Sequence, residues 1–120
     1  MALETKLDKV RVFCDGSLRY PFIDKNIASI GIVIFDKNME VLREFGERIN
    51  IGRNSVLAEY ISLIKALELA TYHTSEEVSC FMDCEVVVRQ LKRSSKIRKN
   101  YMSTFIAEIR KRECSFSGVS

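Results

Sequence analysis

The sequence predicts one mixed α/β domain: a five-stranded sheet with its first three strands antiparallel, flanked by helices. Two patterns indicate this class. β-Branched residues dominate runs in roughly the first 50 residues, and the apolar spacing becomes helical from residue 56 onward. A length of 120 residues suits a single domain, residues 1–120, and 47% hydrophobic against 29% charged residues excludes intrinsic disorder.

The first three strands are predicted from alternation and from their short connections. Apolar residues alternate over 9–15, and a turn-like stretch follows over 16–26. Residues 27–35 form a β-branched run too apolar to face water on either side. A polar connector suited to a hairpin leads into a return strand over 39–49, where Gly46 is a candidate β-bulge. Together these segments predict an antiparallel meander.

Helices and short strands alternate in the rest of the chain. Asn54 and Ser55 can cap a helix whose polar stripe includes Glu59 and Ser62. Three consecutive valines from Val86 fit a strand by propensity, but the four-residue spacing of Val87 and Leu91 favours a short helix. The predicted elements are a helix over 56–72, a strand over 78–82 that closes on Asp83, the short helix, a helix over 100–112 and a last strand over 114–119.

Charge is distributed unevenly along the chain. The net charge is +3, and residues 92–120 hold eight Lys or Arg against two Glu. The basic residues 92–99, which include Lys92, Arg93 and Lys96, have two interpretations. They form either a solvated loop or a segment that holds phosphate electrostatically, without sequence preference.

Several protein classes are excluded by the sequence. No apolar run reaches the roughly 18–20 residues that cross a bilayer, and the first six residues lack the apolar core of a signal peptide. The four cysteines form no CxxC pair, and the single His73 gives little support for a zinc site. We therefore expect reduced thiols, a cytoplasmic location and no membrane partner.

Acidic residues stand where predicted elements begin or end. Asp15 closes the first strand, Glu59 lies near the start of the first helix and Asp83 ends the fourth strand. If the first and fourth strands are parallel neighbours, the three carboxylates meet at one edge, where divalent cations can neutralise their repulsion. Each acid also has a structural interpretation: Asp-Gly-Ser forms turns, a glutamate complements the helix dipole, and an aspartate caps a following helix. A metal site is therefore predicted, with these alternatives open.

Linked sequence blocks resemble type 1 ribonuclease H. They are Asp15-Gly16-Ser17 followed by residues 28–34, residues 54–60 (Asn-Ser-Val-Leu-Ala-Glu-Tyr) with residues 66–70, and Phe81-Met82-Asp83-Cys84 with residues 86–91. The blocks occur in family order and near family spacing. The resemblance implies a ribonuclease H-like five-stranded mixed sheet. It also implies hydrolysis of the RNA strand of RNA–DNA hybrids by two Mg²⁺ or Mn²⁺ ions.

The same resemblance suggests a role for each candidate residue. Asp15 would bridge both ions, and Glu59 and Asp83 would hold the ion that stabilises the departing 3′ oxygen. Ribose 2′-hydroxyls, which distinguish RNA from DNA, would lie near the Asp-Gly-Ser block and the helix cap. The suggested substrate-binding residues are Gly16, Ser17, Asn54 and Ser55 there, and Lys92, Arg93 and Lys96 in the basic stretch.

The sequence departs from the family in its last quarter. The family has a mobile-loop histidine and a fourth carboxylate, an Asp that opens a last helix after the fifth strand; neither has a counterpart up to Ser120. Glu85 places a negative charge where a neutral or basic residue often helps to hold phosphate. Three alternatives follow: a piece of a longer enzyme, a short variant with weak or no cleavage, or a homodimer or larger assembly that completes the site.

Three functions compete on this basis. The first is a metal-dependent endonuclease that cleaves the RNA strand of RNA–DNA hybrids. The second is a catalytically impaired ribonuclease H-like module that binds nucleic acid or a protein partner. The third is a phosphoacceptor receiver-like domain with Asp15 in an acidic pocket, which the predicted meander argues against because that fold alternates strands with helices.

Overall fold

The computed structural model describes residues 7–18, 27–50, 55–92 and 100–120. In chain order the elements are β1 (Leu7–Leu18), β2 (Ile27–Asp36), β3 (Val41–Asn50), α1 (Ser55–Ala70), β4 (Thr74–Phe81), α2 (Glu85–Lys92), α3 (Asn100–Glu113) and β5 (Gly118–Val119). The helix preferred over a strand around Val87 is therefore confirmed as α2. Within the described ranges, no helix is long and apolar enough to cross a membrane.

One five-stranded mixed sheet organises the chain, in the order β3-β2-β1-β4-β5. The pairs β1–β2 and β2–β3 are antiparallel, whereas β1–β4 and β4–β5 are parallel. The hairpin between β2 and β3 is closed by Asp36, whose carboxylate accepts hydrogen bonds from the backbone N–H groups of Asn38 and Glu40 at 2.8 and 2.9 Å. The predicted fold class and the parallel neighbourhood of the first and fourth strands are confirmed.

The core lies between one face of the sheet and the helices. Inward residues of β1 and β2 form one buried cluster with residues of all three described helices, including Leu67, Val87 and Ile109. Alternation along the strands selects that face, because successive side chains point to opposite sides. The large apolar strand residues that are essentially inaccessible to solvent are Val10, Val12, Ile32, Ile34 and Val78. Each such side chain stabilises the fold by about 1.5–3 kcal/mol.

The opposite face of the sheet is open over the described residues, which corrects the prediction that β2 avoids water on both sides. Gly31 is exposed, and Phe13 and Phe81 keep 39% and 43% of their surface accessible. These two rings are stacked at 4.7 Å, and Phe13 also meets the edge of Phe35 at 5.4 Å. The run of β2 predicts burial on both sides because its outward residues, Val33 and Phe35, are apolar as well.

Several predicted boundaries are wrong. Residues 16–18, predicted as a turn, continue β1 and pair with residues 28–30 of β2, because the ladder outweighs the turn propensity of Gly-Ser. Gly46 forms no bulge; it pairs regularly with Gly31, and the irregularity lies between Ile34 and Phe35. β5 is confined to Gly118–Val119, since residues 114–117 form turns after α3.

Candidate functional site

Two of the predicted acids lie side by side on the sheet, Asp83 just beyond the end of β4 and Asp15 inside β1, which it does not close as predicted because the strand continues to Leu18. Phe13 of β1 is the register partner of Phe81 of β4, and two residues farther along each chain come Asp15 and Asp83. Both aspartates are exposed, and both line an open groove of about 520 Å³ on the outer face of the sheet. Parallel pairing of β1 with β4 therefore brings these carboxylates to one edge.

Glu59 reaches the same edge from the helix side, through a contact that depends on Gly16. A Cβ atom on Gly16 would lie 2.4 Å from the carbonyl oxygen of Ala58 and 2.8 Å from the nitrogen of Glu59. Only glycine lets α1 approach β1 this closely. The approach lets the backbone N–H of Gly16 donate a buried 2.6 Å hydrogen bond to Oε1 of Glu59.

The environment of Glu59 is unfavourable for a negative charge. The residue is 6% exposed, and its second oxygen, Oε2, is buried without a hydrogen-bond partner in the described part of the chain. The pKa of Glu59 is raised to about 7, mainly by burial and also by the neighbouring carboxyls of Asp15 and Asp83, against the lowering effect of the Gly16 N–H. Two ionised carboxylates only accept hydrogen bonds, so Oε2 gains a partner from Asp15 only if one of them carries a proton.

The prediction that Glu59 and Ser62 form an exposed polar stripe is wrong. Ser62 is fully buried, and its hydroxyl donates to the backbone carbonyl of Glu59 at 2.7 Å. Both residues lie on the side of α1 that packs on the sheet. The helical pattern alone could not show this, because it does not reveal that a glycine on the facing strand leaves room for a glutamate.

The three acids do not form a preassembled metal centre. Among the residues described, no group of three or more His, Cys, Asp or Glu side chains is arranged to hold a metal ion. The donor set still suits a hard divalent cation, which takes carboxylate oxygens. The buried, unpartnered Oε2 of Glu59 is the atom that a cation would satisfy.

The floor of the groove is bare backbone, a feature that the sequence reasoning missed. Asp15 is the register partner of Gly31, and Gly31 is the partner of Gly46 on the next strand. A Cβ on Gly31 would meet nothing within 4 Å, so the fold itself does not require glycine there. Glycine within a strand is typical where a ligand or another backbone comes close. The sequence feature that could have indicated this bare backbone is the presence of one glycine on each of two successive strands.

The four cysteines are free thiols, of which only Cys14 is fully buried. Cys14 is buried and Cys80 is partly buried, and the loss of solvent around each thiol raises its pKa to about 12. Cys14 precedes Asp15 in β1, and the negative charges of Glu59 and Asp15 also raise the pKa of its thiol. It is a packing residue of the core.

The remaining candidates are placed only in part. The backbone of Ser17 belongs to β1 beside Gly16, and Ser55 is the first residue of α1. Lys92 is exposed at the last position of α2. Asn54, Arg93 and Lys96, along with residues 19–26 of the predicted turn, lie outside the described residues.

Known proteins share this architecture. RNase H1 from Halobacterium salinarum is 24% identical with a TM-score of 0.82, over 93% of this chain and 82% of that one. The N-terminal RNase H domain of a Mycobacterium tuberculosis protein is 23% identical with a TM-score of 0.82, over 95% and 80%. LC11-RNase H1, isolated from compost and solved with an RNA/DNA hybrid, is 26% identical with a TM-score of 0.78, over 92% and 80%. None of the curated proteins matches this chain.

The sheet order and these likenesses define the class: the chain has a ribonuclease H-type fold. The family model described as reverse transcriptase-like matches residues 13–120. The chain therefore belongs to the reverse transcriptase-like family. Its three-strand antiparallel start excludes the receiver-like alternative, which requires alternating strands and helices.

Proposed function

We propose that the protein is a metal-dependent endonuclease that hydrolyses the RNA strand of RNA–DNA hybrids. One observation carries the proposal: Glu59 is buried against Gly16 of β1 with an unpartnered oxygen, next to the carboxyls of Asp15 and Asp83. A fold that only needed stability gains nothing from placing two further acids beside a buried one. The cluster is favourable when a cation and a phosphate share the edge.

Asp15, Glu59 and Asp83 are the residues that would hold Mg²⁺ or Mn²⁺, two ions being expected. Bound divalent ions polarise the phosphate and stabilise the attacking and departing oxygens. The chain's own contribution is placement. Gly16 fixes Oε1 of Glu59 through its N–H, and the parallel pairing of β1 with β4 holds Asp15 beside Asp83. The glycines beneath the groove leave room for a sugar-phosphate backbone next to Asp15.

An RNA–DNA hybrid is the proposed substrate because a protein with a similar fold binds one. LC11-RNase H1 was solved in complex with an RNA/DNA hybrid. In this chain, Gly16, Ser17, Asn54 and Ser55 are proposed to contact the ribose side. The basic residues Lys92, Arg93 and Lys96 are proposed to hold phosphate by charge, so that binding weakens as salt rises. A cytoplasmic location remains a prediction.

The test is cleavage of an end-labelled RNA–DNA hybrid in Mg²⁺ and in Mn²⁺. Asp15→Asn removes a carboxylate that would hold the expected ions, so cleavage should fall by at least about 10³-fold. Asp8→Asn is the matched control, because Asp8 is an exposed aspartate of the same strand, at its opposite end. Asp8→Asn should retain wild-type rates. A folded wild-type protein that leaves the hybrid intact at every metal concentration would contradict the proposal.

A catalytically impaired module that binds nucleic acid or a protein partner is the second candidate. Two observations favour it. The described acids are not arranged as a metal group, and exposed Glu85, two residues beyond Asp83, adds negative charge at the N-terminus of α2. This function predicts hybrid binding that weakens with salt and no turnover in either metal. Turnover that Asp15→Asn abolishes would contradict it.

A further inference from the structure

The outer edge of β3 carries a self-complementary charge pattern. β3 lies at the end of the sheet order, so its second edge has no strand beside it among the described residues. It spans ten residues, Val41–Asn50, without a proline. A long edge of this kind presents free N–H and C=O groups to any strand that fits.

The two faces of β3 are identified by their contacts. The Arg43 guanidinium lies 5.6 Å from the ring centre of Tyr72, and the Lys65 ammonium lies 5.2 Å from that of Phe45, so from Arg43 onward the odd-numbered residues face the α1 side. Glu44 and Gly46 line the groove on the outer face. Arg43, Glu44, Glu47 and Arg48 are all exposed, and none forms an ion pair with another described residue.

Strand geometry limits how two copies of this edge can pair. In an antiparallel ladder, the N–H and C=O of one residue point to the same neighbouring strand, and those of the next residue point to the other. Residues that pair across the ladder of two copies must therefore both be odd-numbered or both be even-numbered. A twofold axis must then pass through one residue of β3. An axis at Arg43, Glu44, Glu47 or Arg48 sets a charge against its own copy. An axis at Gly46 sets Phe45 against Glu47.

An axis at Phe45 avoids these conflicts over residues 43–47, and it sets Arg48 opposite Leu42, the residue that the register shift of β3 leaves without a partner on β2. It sets Arg43 of one copy opposite Glu47 of the other, twice by symmetry, with the two Phe45 rings between them. On the outer face it sets Glu44 opposite Gly46 and diagonal to Arg48. Opposite charges stabilise when directly across a ladder, and diagonal neighbours are still in reach.

We propose that β3 is a homodimer interface, in which two copies pair antiparallel about Phe45 and merge their sheets. Charges on an edge also serve to block pairing. A blocking pattern repels its own copy, whereas this one matches it in one allowed register. The twofold contact occupies the β3 edge of both copies, so the assembly closes as a dimer.

This dimer does not complete the metal site. Strands lie about 4.8 Å apart, and Glu44 of the second copy lies three strands from Asp15, so about 14 Å separates them. The proposal is therefore independent of the nuclease function. A single strand pair buries less than the roughly 800 Å² per partner of a stable dimer, so association should depend on concentration and weaken with salt.

Sedimentation equilibrium of the full chain, from about 10 μM to about 1 mM, tests the proposal. The wild type should show a monomer–dimer equilibrium. Glu47→Arg sets two arginines across the interface at each Arg43, so the dimer should weaken by about tenfold or more. The double variant Arg43→Glu with Glu47→Arg restores opposite charges and should return the constant to within about threefold of wild type.

Glu76→Arg is the matched control, because it makes the same charge change at an exposed position of β4. It should leave the equilibrium unchanged. Far-ultraviolet circular dichroism checks that each variant folds. A wild type that is monomeric up to the highest concentration overturns the proposal. So does equal weakening by Glu76→Arg, or a double variant that stays as weak as the single one.

Discussion

Gly16→Ala is the most informative single change, because one methyl group separates the strand from the helix that carries Glu59. The new Cβ would lie 2.4 Å from the oxygen and 2.5 Å from the carbon of the Ala58 carbonyl. Both atoms are backbone, so α1 must retreat by about 1 Å to reach an ordinary contact. That retreat breaks the buried 2.6 Å hydrogen bond from Gly16 to Glu59.

The cost follows from these two effects. Overpacking costs about 1–3 kcal/mol, and losing a buried hydrogen bond to a charged group costs about 1.5–3 kcal/mol. We expect a loss of about 3–5 kcal/mol in the free energy of unfolding, a large part of the roughly 5–15 kcal/mol of a typical domain. Urea denaturation followed by circular dichroism measures it. Hybrid cleavage should fall with it, since Glu59 loses its anchor.

Gly31→Ala is the matched control. Its Cβ would meet nothing within 4 Å, and alanine loses less backbone entropy than glycine, so stability should stay level or rise by up to about 1 kcal/mol. The reasoning fails if Gly16→Ala remains within about 1 kcal/mol of wild type, or if Gly31→Ala is destabilised as strongly.

Three further predictions concern charge and thiols. The folded-state pKa of Glu59, about 7, lies above its ordinary value of 4.5, so the folded chain binds this proton more tightly; its stabilising effect is complete below about pH 4.5 and is lost as the pH rises to about 7. Glu59→Gln should therefore flatten that part of the stability–pH curve in urea titrations, and an unchanged slope would contradict the assignment. Because burial raises the pKa values of Cys14 and Cys80 to about 12, a thiol reagent at pH 8 should label exposed Cys114 first and these two only after unfolding; prompt labelling of all four would refute this. Glu85→Gln removes an exposed negative charge near Asp83 and should tighten hybrid binding about two- to fivefold at low salt but not at high salt, as measured by fluorescence anisotropy. Arg89→Gln should have the opposite effect, and equal shifts in both variants would argue against an electrostatic cause.

The sequence was sufficient to predict the order of elements and the parallel contact between the first and fourth strands. Both follow from local signals, since alternation selects strands and helical spacing selects helices. Strand ends were harder. Residues 16–18 have the composition of a turn but complete the β1–β2 ladder. Their partners lie up to 14 residues away in the chain, and local strand propensity takes no account of such partners.

The acids were located by sequence, but their environments were not. Glu59 occupies a position that reads as solvent-facing on a helical wheel, and it is buried because Gly16 has no side chain. The bare floor at Gly31 and Gly46 depends on register between strands, which a single sequence does not state. Burial, register and the pKa of Glu59 are tertiary properties, so they became visible only in the structure.

The arrangement around Glu59 links folding to the proposed chemistry. Packing α1 on Gly16 buries a carboxyl that water would otherwise stabilise, and places it beside two more acids. At neutral pH the folded chain must either hold a proton there or accept the repulsion. A cation that binds only the folded state removes that choice, and it stabilises the fold by an amount set by its concentration and affinity. The three carboxyls therefore destabilise the folded chain most when no cation is bound. A cation that relieves this repulsion binds the folded chain more tightly than the unfolded one. If the cluster served packing alone, glutamine at position 59 would fill the same space without destabilising the fold. The destabilising carboxyl of Glu59 is therefore the argument for a bound cation.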